Sequence, residues 1–337
     1  MDYPVFIVAC DRSGTTLLRL MLNQSHVLHI GSGSGFLDRL RKYQKIYGDF
    51  TQAYQRYFFI RDLQTNKATT RKYSFKVFDL TVEEAEAAIA SAAPTSFAGA
   101  AAALFQARSR KYGKIRWGDK TTRYIFDLSW LADAYPTAKF VHLIRDGRDV
   151  AVSLIKAGWV NSFRKAAHYW QSRVEAGMIS GQKIGEDRYY ELRYENLVTE
   201  PEGTLSKLCH WLDIDYTESM LKHHEGKAAQ QSAQKSQDLR SLVAKPVDAS
   251  RAYSWRKTLS RPQVADFESV SGSLLASLGY EVTGFQVFFG LRLSRTILES
   301  LKPYFAQKLM KFSRGNQVGF WPMDTSKDWQ GVKNRDV

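Results

Sequence analysis

Val5-Phe6-Ile7-Val8-Ala9-Cys10-Asp11-Arg12-Ser13-Gly14-Thr15-Thr16-Leu17-Leu18 is the stretch that decides the fold. Its first five residues are apolar and include the β-branched Val5, Ile7 and Val8. A short apolar run without alternation is the pattern of a strand buried on both faces of a parallel sheet. Residues 10–16 form a polar turn, and Thr16 to Leu22 has helical spacing. A loop that runs into a helix N-terminus presents backbone N–H groups with no intrahelical acceptor, at the positive end of the helix dipole. Gly14 lets the main chain approach an anion closely. Ser13, Thr15 and Thr16 add hydroxyl donors, and Arg12 adds a fixed planar charge. The stretch therefore suits a phosphate or sulfate group. It is not the Gly-x4-Gly-Lys-Ser/Thr phosphate loop, because it has neither that glycine spacing nor the lysine. Taken by itself, it also admits the reading of a capped helix that binds nothing.

Further along, Lys139 to Ile144 is a second buried strand, followed by the polar turn Arg145-Asp146-Gly147 and a helix over Asp149 to Ile155. Tyr189 to Tyr194 reads as a third strand, with helices over 161–183 and roughly 202–212. Phe75 to Leu80 reads as another strand or extended segment. Thr81 and Glu84 form a helix-start pattern ahead of an alanine-rich helix over 85–107, broken near Pro94. Strands alternating with helices predict an α/β fold, a central parallel sheet flanked by helices. Arg145 lies at a strand end and Ser153 on the helix eight residues on, so both could reach one phosphate from two sides. Taken singly, such an arginine is more often in a surface ion pair. The Gln-, Ser-, Ala- and Lys-rich stretch 225–250 predicts a long loop, either mobile or a functional cover.

The chain has 337 residues, 44% hydrophobic and 13% aromatic, which excludes a wholly disordered chain and suits one large domain with decorations. A net charge of +14 favours anionic partners such as nucleotides, nucleic acid, acidic glycans or lipid headgroups. No nucleic-acid recognition motif is evident, so that partner is not expected. Cys10 and Cys209 have no disulfide or metal spacing, and buried free thiols of a reducing compartment are expected. The N-terminus lacks the charged start and long apolar run of a signal peptide, and no window approaches 18 apolar residues. A cytoplasmic, plausibly bacterial protein is the expectation. Residues 1–283 are expected to form the main domain and 284–337 a basic amphipathic extension. Within 284–316, apolar residues interleave with Arg292, Arg295, Lys302, Lys308, Lys311 and Arg314. That pattern predicts packing on the domain or in a homodimer, or contact with a membrane surface.

The two strand-to-helix segments together resemble the paired signatures of the sulfotransferase family, a 5′-phosphosulfate loop and a 3′-phosphate segment. The branch that contains tyrosylprotein sulfotransferases and many bacterial enzymes is the most similar, because it uses Arg-Ser-Gly-Thr-Thr where other branches begin with lysine. Trp117-Gly118-Asp119-Lys120-Thr121 resembles the family's Gly-Glu-Lys-Thr-Pro element, with Thr122 in place of the proline. Arg193-Tyr194-Glu195-Asn196-Leu197 with Pro201, Lys245-Pro246-Val247 with Trp255-Arg256-Lys257, and Leu278-Gly279-Tyr280 resemble later segments in the same order. The resemblance spans about residues 4–283. It implies a donor, 3′-phosphoadenosine 5′-phosphosulfate, and sulfuryl transfer to a hydroxyl or amine without a metal. It implies that Arg12 and Lys120 bear on the transferring group and that Ser13, Gly14, Thr15, Thr16 and Leu17 wrap the 5′ end. It assigns Arg145 and Ser153 to the 3′-phosphate, Tyr194 to the adenine side, and Arg256 and Lys257 to a closing loop. Outside the resemblance, Lys120 reads as a surface lysine, Tyr194 as packing, and Arg256 and Lys257 as solvated charges. The acceptor is unidentified, with a glycan, a lipid-linked group or a small molecule expected.

One departure matters. The branch's general base is a glutamate after the first helix, and its position falls on Gly33 within Ile30-Gly31-Ser32-Gly33-Ser34-Gly35-Phe36. That tract reads as a flexible or even engineered replacement. Asp119 is a candidate substitute base, whereas His26, His29 and His142 read as structural. A donor-binding scaffold without catalysis is the rival function, and a kinase of related fold is disfavoured by the absent phosphate-loop lysine.

Overall fold

The computed structural model describes residues 3–64, 75–226, 228–230 and 241–283. Five parallel strands form one sheet in the order β2-β3-β1-β4-β5. They are β1 (Val5–Ala9), β2 (Leu28–Ser32), β3 (Arg116–Lys120), β4 (Lys139–Ile144) and β5 (Tyr189–Arg193). The main helices are α1 (Thr15–Leu22), α2 (Ala53–Gln64), α3 (Val82–Ala92), α4 (Phe97–Lys111), α5 (Leu128–Ala134), α6 (Gly147–Lys156), α7 (Phe163–Ile184), α8 (Tyr194–Thr199), α9 (Pro201–Trp211) and α10 (Arg261–Ser277). The predicted α/β class with a parallel sheet is the one observed.

Strand β1 is central and wholly buried, which explains its unbroken apolar run. Its side chains alternate between two cores. Phe6 and Val8 face an aromatic cluster under α4, α5 and α7, while Val5, Ile7 and Ala9 face α1, α8 and α9. Phe6 stacks on Phe140 at 5.5 Å and meets the Trp117 ring edge-on at 5.7 Å. A third core joins α6, α7 and α10 around Trp170 and Phe267. Gly118 is required where β3 passes β1, because a Cβ there would stand 2.5 Å from the Val5 carbonyl oxygen.

Two expectations are corrected. Phe75–Phe78 is a 3-10 turn and not a strand. Phe75 and Phe78 both enter the aromatic core from it, so the apolar run reflects packing and not sheet pairing. The Gly31–Gly35 tract is not a flexible spacer. Gly31 and Ser32 complete β2, paired with Asp119 and Lys120 of β3. The Thr81–Glu84 capping box and the interruption at Ala93-Pro94 are as read from the sequence. The expected extension 284–337 and part of the 225–250 loop lie outside the described residues. Both cysteines are buried free thiols. Among the described residues no helix is long and apolar enough to cross a membrane.

Candidate active site

After β1 the chain moves toward β2, and after β4 it moves the other way to β5. The C-terminal edge between β1 and β4 is therefore the topological switch point, the place where open α/β sheets bind ligands. The loops that leave these two strands are residues 10–14 and 145–146, each ending in a helix.

The first loop is shaped by two left-handed residues, Arg12 at φ 72° and Gly14 at φ 96°. A non-glycine residue in that region costs of order 1–3 kcal/mol, so the surroundings must hold Arg12 there. Its Nε donates to Ser153 Oγ on α6 at 3.0 Å. Helix α1 begins at Thr15 with no side-chain cap and no acidic residue in its first turn. Its leading N–H groups and dipole thus face the edge without an acidic neighbour on their own helix. Ser13 is fully buried, and its Oγ has no hydrogen-bond partner among the described residues. Such a hydroxyl is costly unless a ligand accepts from it or donates to it. The residues fit an anion: a glycine turn, a helix start without a carboxylate and an unsatisfied hydroxyl coincide.

The second loop is internally tied. Asp146 caps α6 by accepting from the Arg148 N–H at 2.9 Å, and it also pairs with the Arg148 guanidinium. Glu268 of α10 pairs with the other side of that guanidinium at 2.7 Å. Trp255 donates its ring N–H to Asp146 and its main-chain N–H to Asp149. Arg145 projects the other way. It reaches the main-chain carbonyls of Arg12 and Arg251, lies 3.6 Å from the Asp149 carboxylate, and covers the Tyr194 ring at 4.2 Å. Tyr194 in turn packs on Gly14, where a Cβ would stand 2.5 Å from its ring. Arg12, Ser13, Gly14, Thr15, Arg145, Ser153 and Tyr194 thus form one connected cluster, with Thr16 and Leu17 following on α1.

Lys120 ends β3 beside β1, paired with Ile7. Its neighbour Asp119 is fully buried. It accepts from the Ser34 N–H at 3.3 Å, from the Ser34 hydroxyl, and from Thr121 Oγ1 at 3.2 Å. Burial raises its carboxyl above the usual range, against the pull of those hydrogen bonds. Gly33 lies between these groups. A Cβ there would stand 2.7 Å from the Lys120 carbonyl oxygen and 3.2 Å from Thr121 Oγ1. Position 33 is therefore closed to a side chain in this geometry. Arg256 pairs with Glu281 at 2.6 Å with both side chains largely exposed, and Lys257 is exposed next to it. The late-segment residue that reaches Arg145 is Arg251, through its carbonyl. Burial holds three described histidines, His29, His142 and His223, neutral. Burial lowers His29 to about 3 and His142 to about 3, with nearby arginines adding to the effect.

Asp11, Tyr169 and Arg173 were not singled out by the sequence, and Thr122 was noted only as standing in place of a proline. Thr122 Oγ1 donates to Asp11 at 2.6 Å, Tyr169 Oη donates to it at 2.7 Å, and Arg173 Nε lies 3.8 Å away. The signal available was an acidic residue directly before Arg12 in a strand-end turn. Among the described residues no group of three or more His, Cys, Asp or Glu side chains has a metal-binding arrangement.

The chain as a whole is similar to known proteins. The model of the sulfotransferase family matches residues 4–218. The chain belongs to that family. It is 30% identical over 161 residues to protein-tyrosine sulfotransferase A of Caenorhabditis elegans, covering 45% of this chain and 41% of that protein. It is 25% identical over 289 residues to the protein-tyrosine sulfotransferase of Drosophila melanogaster, covering 82% and 51%. The chain thus spans about half the length of these relatives, or less. In fold it resembles the sulfotransferase domain of the Synechococcus PCC 7002 olefin synthase, with a TM-score of 0.59 at 22% identity. That match covers 84% of this chain and 98% of that domain.

Proposed function

We propose that the protein transfers a sulfuryl group from 3′-phosphoadenosine 5′-phosphosulfate to a hydroxyl or amine. The observation that carries this reading is the Arg12–Ser153 contact, which joins the loop after β1 to the helix that follows β4 at the switch point. When bound, the donor substrate supplies an activated sulfuryl group and a phosphate leaving group. Arg12 and Lys120 stabilise the charge that grows on the bridging oxygen. The start of α1, with Ser13, Gly14, Thr15, Thr16 and Leu17, holds the 5′ end by N–H and hydroxyl donation. Arg145 and Ser153 hold the 3′-phosphate, and the Tyr194 ring offers its flank to the adenine. Arg256 and Lys257 lie on the segment that would close over the 3′ side. The Arg251 carbonyl accepts from Arg145, which makes the neighbouring Arg251 a further candidate there.

The experiment is calorimetric binding of adenosine 3′,5′-bisphosphate against ATP and ADP. Selective binding of the bisphosphate is the expected result, and preference for ATP would overturn the reading. A second reading, a donor-binding scaffold without transfer, is favoured by the closed position 33. Bisphosphate binding without release of sulfate to any acceptor or to water is its signature.

A further inference from the structure

Sulfuryl transfer requires a group to take the acceptor's proton, and position 33 has no room for one. Five carboxylates lie where the strands of the switch region end: Asp11, Asp119, Asp146, Asp149 and Glu195. Four are almost fully buried, none of them more than 3% exposed. Asp119 holds Ser34 and Thr121. Asp146 holds Arg148 and Trp255. Asp149 holds Ser254 and Trp255. Glu195 accepts from the Asp146 N–H and from Tyr280. Each fixes main chain or a buried cation, and none faces solvent.

Asp11 differs. Its side chain is 23% exposed and directly precedes Arg12. It is held by groups from two other elements, Thr122 beyond β3 and Tyr169 on α7. Thr122 is two residues past Lys120, so its bond to Asp11 ties the loop that carries Arg12 to the segment that follows Lys120. Burial, reinforced by the Asp11 charge, pushes the Tyr169 hydroxyl well above its ordinary range, so that it stays a donor. A carboxylate offers about four acceptor positions on its two oxygens. Thr122 and Tyr169 fix its orientation, Arg173 Nε lies 3.8 Å away, and the partial exposure of the carboxylate leaves it acceptor capacity for a further donor.

We infer that Asp11 is the proton acceptor of this enzyme, in the role that Gly33 cannot fill. The inference rests on the sulfotransferase reading above. In the step, the acceptor oxygen forms a bond to sulfur while the sulfur–oxygen bond to the 5′-phosphate breaks. The bonding pair leaves on the phosphate oxygen opposite Arg12 and Lys120. The acceptor's proton passes to an Asp11 carboxylate oxygen and later to water. No oxidant, reductant or metal enters the balance.

The test uses the full chain, 3′-phosphoadenosine 5′-phosphosulfate, and two phenols of different acidity. 4-Methylphenol needs a base at neutral pH, and 4-nitrophenol is substantially ionised without one. Release of adenosine 3′,5′-bisphosphate is followed with each phenol and with water as the only acceptor. Asp11→Asn should lower turnover on 4-methylphenol by about 100-fold or more, the lower bound for loss of a general base. It should leave 4-nitrophenol close to the wild-type rate and bisphosphate affinity unchanged. Equal losses on both phenols, or full turnover of Asp11→Asn on 4-methylphenol, would overturn the role of Asp11. So would a wild-type chain that binds the bisphosphate yet releases none from the donor to phenol or water. Failure of the wild-type chain to bind the bisphosphate would instead overturn the donor reading itself. If Asp11→Asn does not fold, Thr122→Val removes the hydroxyl that orients the carboxylate. It must then slow 4-methylphenol more than 4-nitrophenol, and an even loss overturns the inference.

Discussion

Two glycine-bearing loops leave neighbouring regions of the same sheet edge, and they have opposite states of satisfaction. In the loop after β1, Arg12 and Gly14 are left-handed, Ser13 Oγ is buried with no partner among the described residues, and the helix start is uncapped by a side chain. In the loop after β2, Ser34 bonds Asp119 and Tyr124, and the Gly35 N–H donates to Thr121 Oγ1 at 3.3 Å. The first loop keeps a buried hydroxyl and a helix start unsatisfied, and the second spends its polar groups on its neighbours. Glycine serves opposite ends in the two. At position 14 it permits a positive φ and the close Tyr194 ring, and at position 33 it permits close contact with the β3 main chain.

The contrast can be broken by substitution. The largest effect is expected at Arg12→Ala, where loss of a positioned cation should lower sulfuryl transfer by about 100- to 1,000-fold. Thermal unfolding should move little, and a large fall in melting temperature would mean that Arg12 is chiefly structural. Next, Gly33→Ala should destabilise the fold by about 1–3 kcal/mol in urea unfolding, the range for overpacking a tight site. Gly33→Glu should be no better folded and should gain no turnover. A gain in rate would reopen position 33 as the seat of a base and end the contrast.

A smaller effect separates affinity from stability. Ser13→Ala should weaken bisphosphate binding by about 1 kcal/mol, one hydrogen bond, while leaving the ligand-free chain equally or more stable. Reduced stability without ligand would show that the hydroxyl is already satisfied. The smallest effect concerns pH. His142 is lowered to about 3 by burial, so the unfolded chain takes up its proton at higher pH than the folded one. The folded state therefore loses stability from this group as pH falls below about 6.5, and the loss continues to about pH 3. Comparing urea midpoints at pH 7 and pH 5, His142→Asn should show a shallower fall than the wild-type chain. An identical fall would assign the acid sensitivity elsewhere.

Strands β1, β4 and β5 were legible because they read as apolar or aromatic runs. Strands β2 and β3 were not, because Leu28–Ser32 carries histidine, glycine and serine and Arg116–Lys120 carries glycine and charge inside the sheet. Those charges are tolerated through distant partners. Arg116 donates to the Leu212 carbonyl at 2.9 Å, and Asp119 binds the Ser34 loop. No local pattern encodes such partners. The same blindness hid Asp11, whose orienting groups lie 111 and 158 residues away.

By itself the sequence determined the parallel α/β class and the strand–loop–helix turn proposed to bind an anion at residues 12–17, since both follow from local patterns of apolar spacing, glycine and hydroxyl groups. It also determined the ordered segments that resemble the sulfotransferase family. Only the tertiary structure decided what the Gly31–Gly35 tract is, because the space around Gly33 is set by the β3 main chain. It likewise decided which carboxylate stays near the surface, because exposure depends on what the remote helices and strand ends cover.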